Sequence, residues 1–228
     1  MAGAWVFPGG AVDDTDAGSD AGSVVQSTDD GLARWRAAAL RELVEETGIW
    51  LTVDGEQVTN QRPNGVAVFG AAPSPLNGER LRYFANWITP APLPIRFDTR
   101  FFATEVSRHV EALVDGQELI DAAWTDPVDA LERADAGDWL LAFPTRSTLQ
   151  VFSGHDSVIE LLAALTDPGE IEAVQPRLVV ENDAVRILLP ADPGFDAAAD
   201  GEHDPDLLAR AMAVAEAGGT IPAEMRLA

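Results

Sequence analysis

An α+β fold is what the sequence predicts, on three observations. Strand-like and helix-like segments are mixed without the regular alternation that builds a doubly wound parallel sheet. The 228 residues are 46% apolar, an ordinary proportion for a domain that buries a core. One long segment, Leu32 to Thr47, spaces Ala37, Ala38, Leu40, Leu43 and Val44 for a single buried helical face. No segment recurs at a fixed period, so a repeat architecture is excluded.

Taken in order, Trp5-Val6-Phe7 reads as a short strand broken by Pro8-Gly9-Gly10. Residues 13–31, rich in Asp, Ser, Gly and Thr, read as a surface loop. Asp29 or Asp30 suits the start of the helix that follows and Gly48 its end. Ile49 to Val53 is strand-like, and 54–80 is loop-rich apart from an apolar stretch at Val66 to Phe69. Further strands are expected at Leu81 to Thr89, Thr99 to Thr104 and about Glu118 to Trp124. Asp126 caps a helix from Pro127 to about Ala134, since proline is tolerated in a first helical turn. Thr145 to Leu165 is helical with a break near Gly154. Arg177 to Leu189 reads as a hairpin turning at Asn182-Asp183, and Asp204-Pro205 opens a last helix ending at Gly218-Gly219. These elements divide into a main domain, 1–165, and an extension, 166–228.

Thirty-eight acidic against 15 basic residues give a net charge of -23, and every basic residue is an arginine. Such a surface disfavours binding to a nucleic-acid backbone, where cations must replace counterions. A solvated surface suited to solubility or high salt is the plain explanation of the acidity. It also opposes any anionic substrate, unless a bound cation neutralises the charge locally. Absence of cysteine excludes disulfides and thiolate chemistry. The first residues lack the basic and apolar regions of a signal peptide, and no apolar run nears the roughly 18 residues of a membrane span. A cytoplasmic protein with no membrane partner is the expectation.

Glu42, Glu45 and Glu46 stand at helical offsets that share one face, with neighbouring Cβ atoms about 5–6 Å apart. Bare carboxylates that close repel one another, and a divalent cation relieves the repulsion. Mg²⁺ takes oxygen ligands and bridges to substrate phosphates. A glutamate-rich helical face is, taken alone, more often plain solvated surface. Upstream, Phe7-Pro8-Gly9-Gly10 is a rigid turn whose glycines let the backbone approach a ligand closely.

Gly10, then Arg41-Glu42-Leu43-Val44-Glu45-Glu46-Thr47-Gly48-Ile49, resembles the box of the Nudix hydrolases. The family pattern runs Gly, five residues, Glu, seven residues, then Arg-Glu-aliphatic-any-Glu-Glu-any-Gly-aliphatic. Asp16 stands where the family has Glu. Between Asp16 and Arg41 lie 24 residues where the pattern has seven, an insertion of 17 occupying about 17–33. The resemblance implies an α-β-α sandwich around a mixed sheet. It implies Glu45 and Glu46 as ligands of Mg²⁺ or Mn²⁺, and Glu42 as ligand, general base, or both by turns. Gly10 would lend its carbonyl, and Arg41 would tie the box together through a carboxylate.

Trp87-Ile88-Thr89-Pro90, Arg96 to Phe102, Glu118 to Trp124, Pro127, Ala130-Leu131 and Pro144-Thr145 are similar to the acyl-coenzyme A diphosphatase branch of that family. The implied substrate is a small-molecule diphosphate, coenzyme A or its acyl derivatives first. An ADP-ribose or dinucleotide pyrophosphatase is the runner-up, and a non-catalytic nucleotide-binding domain the rival from another class. Non-catalytic members lose box glutamates, and all three are present here. Arg96 and Arg100, four apart in an expected strand, would share a face and contact substrate phosphate; a salt bridge with Asp98 is the favoured alternative. Glu118 is either the additional loop carboxylate of many Nudix enzymes or an exposed, idle side chain. His109, His155 and His203 have no metal-ligand spacing and stay unassigned.

Family members place at least one strand ahead of the box, whereas this chain reaches Phe7-Pro8-Gly9-Gly10 almost at once. A missing strand is therefore expected, with Met1 an internal methionine. The alternative is that the hairpin at Arg177 to Leu189, or a partner chain in a homodimer, takes its place.

Overall fold

The computed structural model describes residues 3–60, 62–91, 93, 95–107, 110–114, 116, 119–165, 171–181, 184–198, 206–207 and 209–211. The chain opens with β1 (Ala4–Trp5) and a 3₁₀ turn (Asp14–Ala17), then α1 (Ser19–Val24), β2 (Val25–Gln26) and α2 (Ala33–Thr47). It continues through β3 (Ile49–Thr52), β4 (Gly55–Val58), α3 (Ala67–Ala71), β5 (Leu76–Asn77) and a second 3₁₀ turn (Gly78–Arg80). Next come β6 (Arg82–Ile88), β7 (Asp98–Ala103), α4 (Pro127–Asp135), β8 (Leu140–Leu141), α5 (Phe143–Phe152) and α6 (Val158–Ala164). The extension supplies β9 (Ala173–Val174), β10 (Arg177–Glu181) and β11 (Ala184–Leu188).

Two mixed sheets build the body. One has the order β2-β5-β3-β4 and the other β7-β6-β9, each combining parallel and antiparallel pairs. β1 pairs in parallel with β8, and β10 pairs antiparallel with β11. The fold is α+β, as the patterning predicts. The segment 17–33 differs from the expected loop: it holds α1 and β2, and β2 docks beside β5 because Ala21, Val24 and Val25 join the core around α2. The apolar stretch near Val66 is helical in α3, burying Val68 and Phe69. No regular structure forms over 119–124, where a strand was expected; Ile120 and Trp124 are exposed there. A strand needs a partner for its N–H and C=O groups, and among the described residues 119–124 pairs with no strand.

α2 organises the main core. Ala37, Leu40 and Val44 pack on Ile49, Leu51, Phe69 and Leu76, all nearly inaccessible to water. Each large aliphatic or aromatic side chain so buried contributes about 1.5–3 kcal/mol. The helix stops at Gly48, whose φ of 71° is left-handed and whose N–H donates to Val44 O at 2.9 Å. A Cβ at Gly48 would lie 2.5 Å from Thr59 O, so that stop admits no side chain. The Asp126 cap on Val128 N–H, with Pro127 in the first turn of α4, is present as expected. The break near Gly154 separates α5 from α6. Among the described residues the β10–β11 hairpin pairs only with itself, while β9, just ahead of it, joins the body along β6. The turn at 182–183 and the bounds of the last helix lie outside the described residues; Leu207 and 209–211 are helical.

Candidate active site

Helical geometry brings the acidic positions of α2 to one face, opposite the face that fills the core. Glu42 is buried, and Glu45 and Glu46 are half-buried. Arg41 holds the group together. Its Nε and Nη2 donate to the two oxygens of Asp16 at 2.8 and 3.0 Å, a bidentate pair. Nη2 also donates to Ala11 O at 2.9 Å, and Nη1 to Glu42 at 2.7 Å and Glu45 at 3.3 Å. Asp16 accepts a further bond from Asp13 N–H at 2.8 Å. Asp16 and Arg41 are 3% and 5% exposed. The hydrogen bonds to Asp16 raise the guanidinium pKa despite burial, so the arginine stays charged. Asp13 caps the 3₁₀ turn ahead of it, and the Thr15 N–H it accepts lowers its pKa.

The turn at Pro8-Gly9-Gly10 lies directly on this face. Gly9 N–H donates to Glu46 Oε2 at 2.9 Å. A Cβ on Gly10 would stand 2.3 Å from Glu42 Oε1, so a side chain there requires the Glu42 carboxylate to move. From the other side Gly65 N–H donates to Glu45 Oε1 at 2.6 Å. Two backbone turns therefore clasp the acidic face, each satisfying one carboxylate. The carboxylates are not bare, as repulsion between them had suggested, because Arg41 and these amides share their charge. Among the described residues no three acidic or histidine side chains are gathered as the ligand set of one ion. The donor chemistry nevertheless fits a hard divalent cation: three carboxylates on one helical face, with the Gly10 backbone against Glu42.

The chain is 30% identical over 149 residues to a Caenorhabditis elegans protein named nudix hydrolase 7, covering 61% of this chain and 46% of that protein. It thus spans about half the length of the curated relative it matches. The crystal structure of a NUDIX hydrolase from Alicyclobacillus acidocaldarius superposes with a TM-score of 0.54 at 28% identity, over 72% of this chain and 81% of that one. The chain has the Nudix fold. No family model matches it.

Arg41 binds Glu42 and Glu45, Gly10 lies against Glu42, and Glu46 accepts from Gly9 N–H, so the four expected residues are neighbours. Arg96 and Arg100 do not share a strand face. β7 begins at Asp98, so Arg96 precedes it, donating from Nε to Thr89 O at 3.2 Å and from Nη2 to Gln175 Oε1 at 3.3 Å. Arg100 does lie on β7. It meets Asp98 at 3.4 Å, and its guanidinium sits 3.7 Å over the ring of Trp35 on α2. Glu118 lies outside the described residues, as do His109 and His203. His155 is 3.8 Å from Glu160, far from box chemistry in sequence and element. Sequence reasoning missed Trp35 and Gly65. Trp35 was legible in principle: seven residues before Glu42, it lies two turns away on the same helical face, about 10 Å along the axis. Gly65 had no such signal, because a backbone N–H carries no residue identity. Among the described residues no helix is long and apolar enough to cross a membrane.

Proposed function

We propose that the protein is a metal-dependent hydrolase of a diphosphate linkage in a small nucleoside diphosphate derivative. The observation that supports it most is the Asp16–Arg41–Glu42 network, buried beneath a glycine turn that leaves no room beside Glu42. A plain solvated face has no reason to bury an arginine. Glu42, Glu45 and Glu46, with the Gly10 carbonyl, would hold Mg²⁺ or Mn²⁺. Such a cation, when bound, offsets the charge of the diphosphate and acidifies a water.

The chain's own groups do the rest. Arg41 holds Glu42 in place through its Nη1 hydrogen bond, and the Glu42 carboxylate is the proposed acceptor of a proton from water. The water oxygen attacks phosphorus, the anhydride P–O bond breaks, and its electron pair leaves with the second phosphate. Glu118 is proposed as a further carboxylate in that proton transfer. Arg100, set over Trp35 on the acidic face, and Arg96 are proposed to receive the anionic parts of the substrate. Coenzyme A or an acyl-coenzyme A is the leading substrate, cut to phosphopantetheine, or its acyl form, and adenosine 3′,5′-bisphosphate. The test is a panel of diphosphates with Mg²⁺ or Mn²⁺, read by mass spectrometry. Cleavage of coenzyme A with the highest kcat/KM supports the reading. A higher kcat/KM for ADP-ribose assigns the runner-up, and no cleavage of any diphosphate defeats the hydrolase itself.

A further inference from the structure

Trp35 stands on α2 seven residues before Glu42, along the face that carries Glu42 and Glu46 and about 10 Å away on the helix axis. The Arg100 guanidinium of β7 lies 3.7 Å from the centre of its ring, and that of Arg34 lies 4.7 Å away. The Arg100 side chain is 22% exposed, so the stack is largely enclosed. Its bond to Asp98 is long, at 3.4 Å, and runs to a half-exposed carboxylate. The ring, rather than the acid, therefore holds the guanidinium. A further contact sets β7 beside the acidic face. Phe101, next to Arg100, meets the ring of Phe7 edge-on at 6.3 Å, and Phe7 leads into the glycine turn that donates to Glu46.

Stacking occupies the flat face of a guanidinium and leaves its rim, where the N–H donors lie, open to a ligand. Among the described residues the one hydrogen bond of Arg100 is from Nη1 to Asp98. The rest of the rim is a fork that fits two oxygens of a phosphate. Which phosphate it fits follows from position. A diphosphate cut at the box lies at Glu42, Glu45 and Glu46, whereas Arg100 is held at the level of Trp35, two helical turns away. It meets a phosphate outside the reacting diphosphate. The reach from a phosphate on a ribose hydroxyl to the far end of a diphosphate on C5′ is of that order. A phosphate monoester carries a charge of about −1.5 to −2 at neutral pH, which a cationic fork answers well.

We propose that Trp35 is a positioning residue whose ring presents the Arg100 guanidinium to a phosphate monoester on the substrate's ribose, so that the site selects substrates carrying a third phosphate. The inference rests on the diphosphate-hydrolase reading and adds to it the group that separates coenzyme A from ADP-ribose. The probes are adenosine 3′,5′-bisphosphate and AMP, which differ only in the ribose phosphate and hold no diphosphate to cleave. Each is titrated calorimetrically into the full chain in the same Mg²⁺ buffer. A net charge of -23 disfavours the more anionic ligand wherever no cation receives it. The bisphosphate is nevertheless expected to bind about tenfold or more tightly than AMP. Arg100→Gln should bring that ratio to about one or below. Trp35→Leu, with Arg100 still present, should cut it by about threefold or more. Trp35→Phe keeps a ring under the guanidinium and should restore most of it. Each ratio is taken within one protein sample, so a variant that folds in lower yield is still informative. AMP bound as tightly as the bisphosphate by the native protein overturns the proposal, as does a Trp35→Leu protein with the native ratio. Diphosphate cleavage without the preference removes the subsite and leaves the hydrolase. The preference without cleavage keeps the subsite and removes the hydrolase.

Discussion

Helix α2 and strand β6 both bury polar side chains, and they treat them in opposite ways. On α2, Arg41 and Glu42 are charged and enclosed, yet each is answered by another protein group: Asp16 and Ala11 O on Arg41, Arg41 itself on Glu42. On β6, Asn86 is neutral and enclosed, and one of its polar atoms is answered by nothing described. The first arrangement is complete within the fold, so removing a member should cost stability as well as activity. The second is incomplete, so removing it should spare the fold. Cost to folding and cost to function are therefore expected to separate along the chain, and substitutions can show whether they do.

The largest expected effect is on the complete network. Arg41→Leu leaves Asp16 and Glu42 as buried carboxylates without their cation, and should destabilise the protein by about 3–5 kcal/mol in urea denaturation. The double change Asp16→Leu with Arg41→Leu should recover a large part of that loss. A single variant as stable as the native protein breaks the contrast, as does an Asn86→Leu variant that loses as much stability. Glu46→Gln comes next. The amide oxygen can still accept from Gly9 N–H, so the melting temperature should hold or rise, while hydrolysis falls by at least about 100-fold, equivalent to about 2.7 kcal/mol of barrier. An unchanged rate removes Glu46 from the ligand set.

Gly10→Ala sharpens the geometry further. Its Cβ needs space now held by Glu42, which Arg41 restrains, so the carboxylate must shift. We expect a fall in kcat of about tenfold, since small displacements of a catalytic group are costly, with a loss of stability of about 1–3 kcal/mol. A crystal structure of the variant with Glu42 unmoved and activity intact would contradict the close approach. The smallest effect concerns an ion pair away from the site. Arg80 donates to Glu56 and holds its pKa below the ordinary 4.5. A lowered folded pKa means that the pair stabilises above about pH 4.5 and loses that contribution as pH falls through the folded value. Glu56→Gln should cost at most about 1 kcal/mol at neutral pH, and the difference from native should vanish on acidification. A difference that grows below pH 4.5 reverses the sign and the assignment.

The sequence by itself determined the box. Glu42, Glu45 and Glu46 must share a face once 33–47 is helical, because helical periodicity is a local property. Gly48 as the stop of α2 and Asp126-Pro127 as the start of α4 were equally local, since caps and left-handed turns depend on a few adjacent residues. Tertiary structure alone decided the rest. A strand was expected at about 118–124, but a strand forms only where another chain segment pairs with it, and among the described residues 119–124 has no such partner. Residues 17–33 looked like a loop by composition, yet β2 found a partner in β5, a contact across about fifty residues that no local signal encodes. That Arg41 would choose Asp16, that Gly65 would lend its amide to Glu45, and that Asn86 would be enclosed without an answering group are likewise matters of three-dimensional neighbourhood. Which residues can react was written locally in their chemistry and spacing; which partners restrain them was fixed only when distant segments closed on one core.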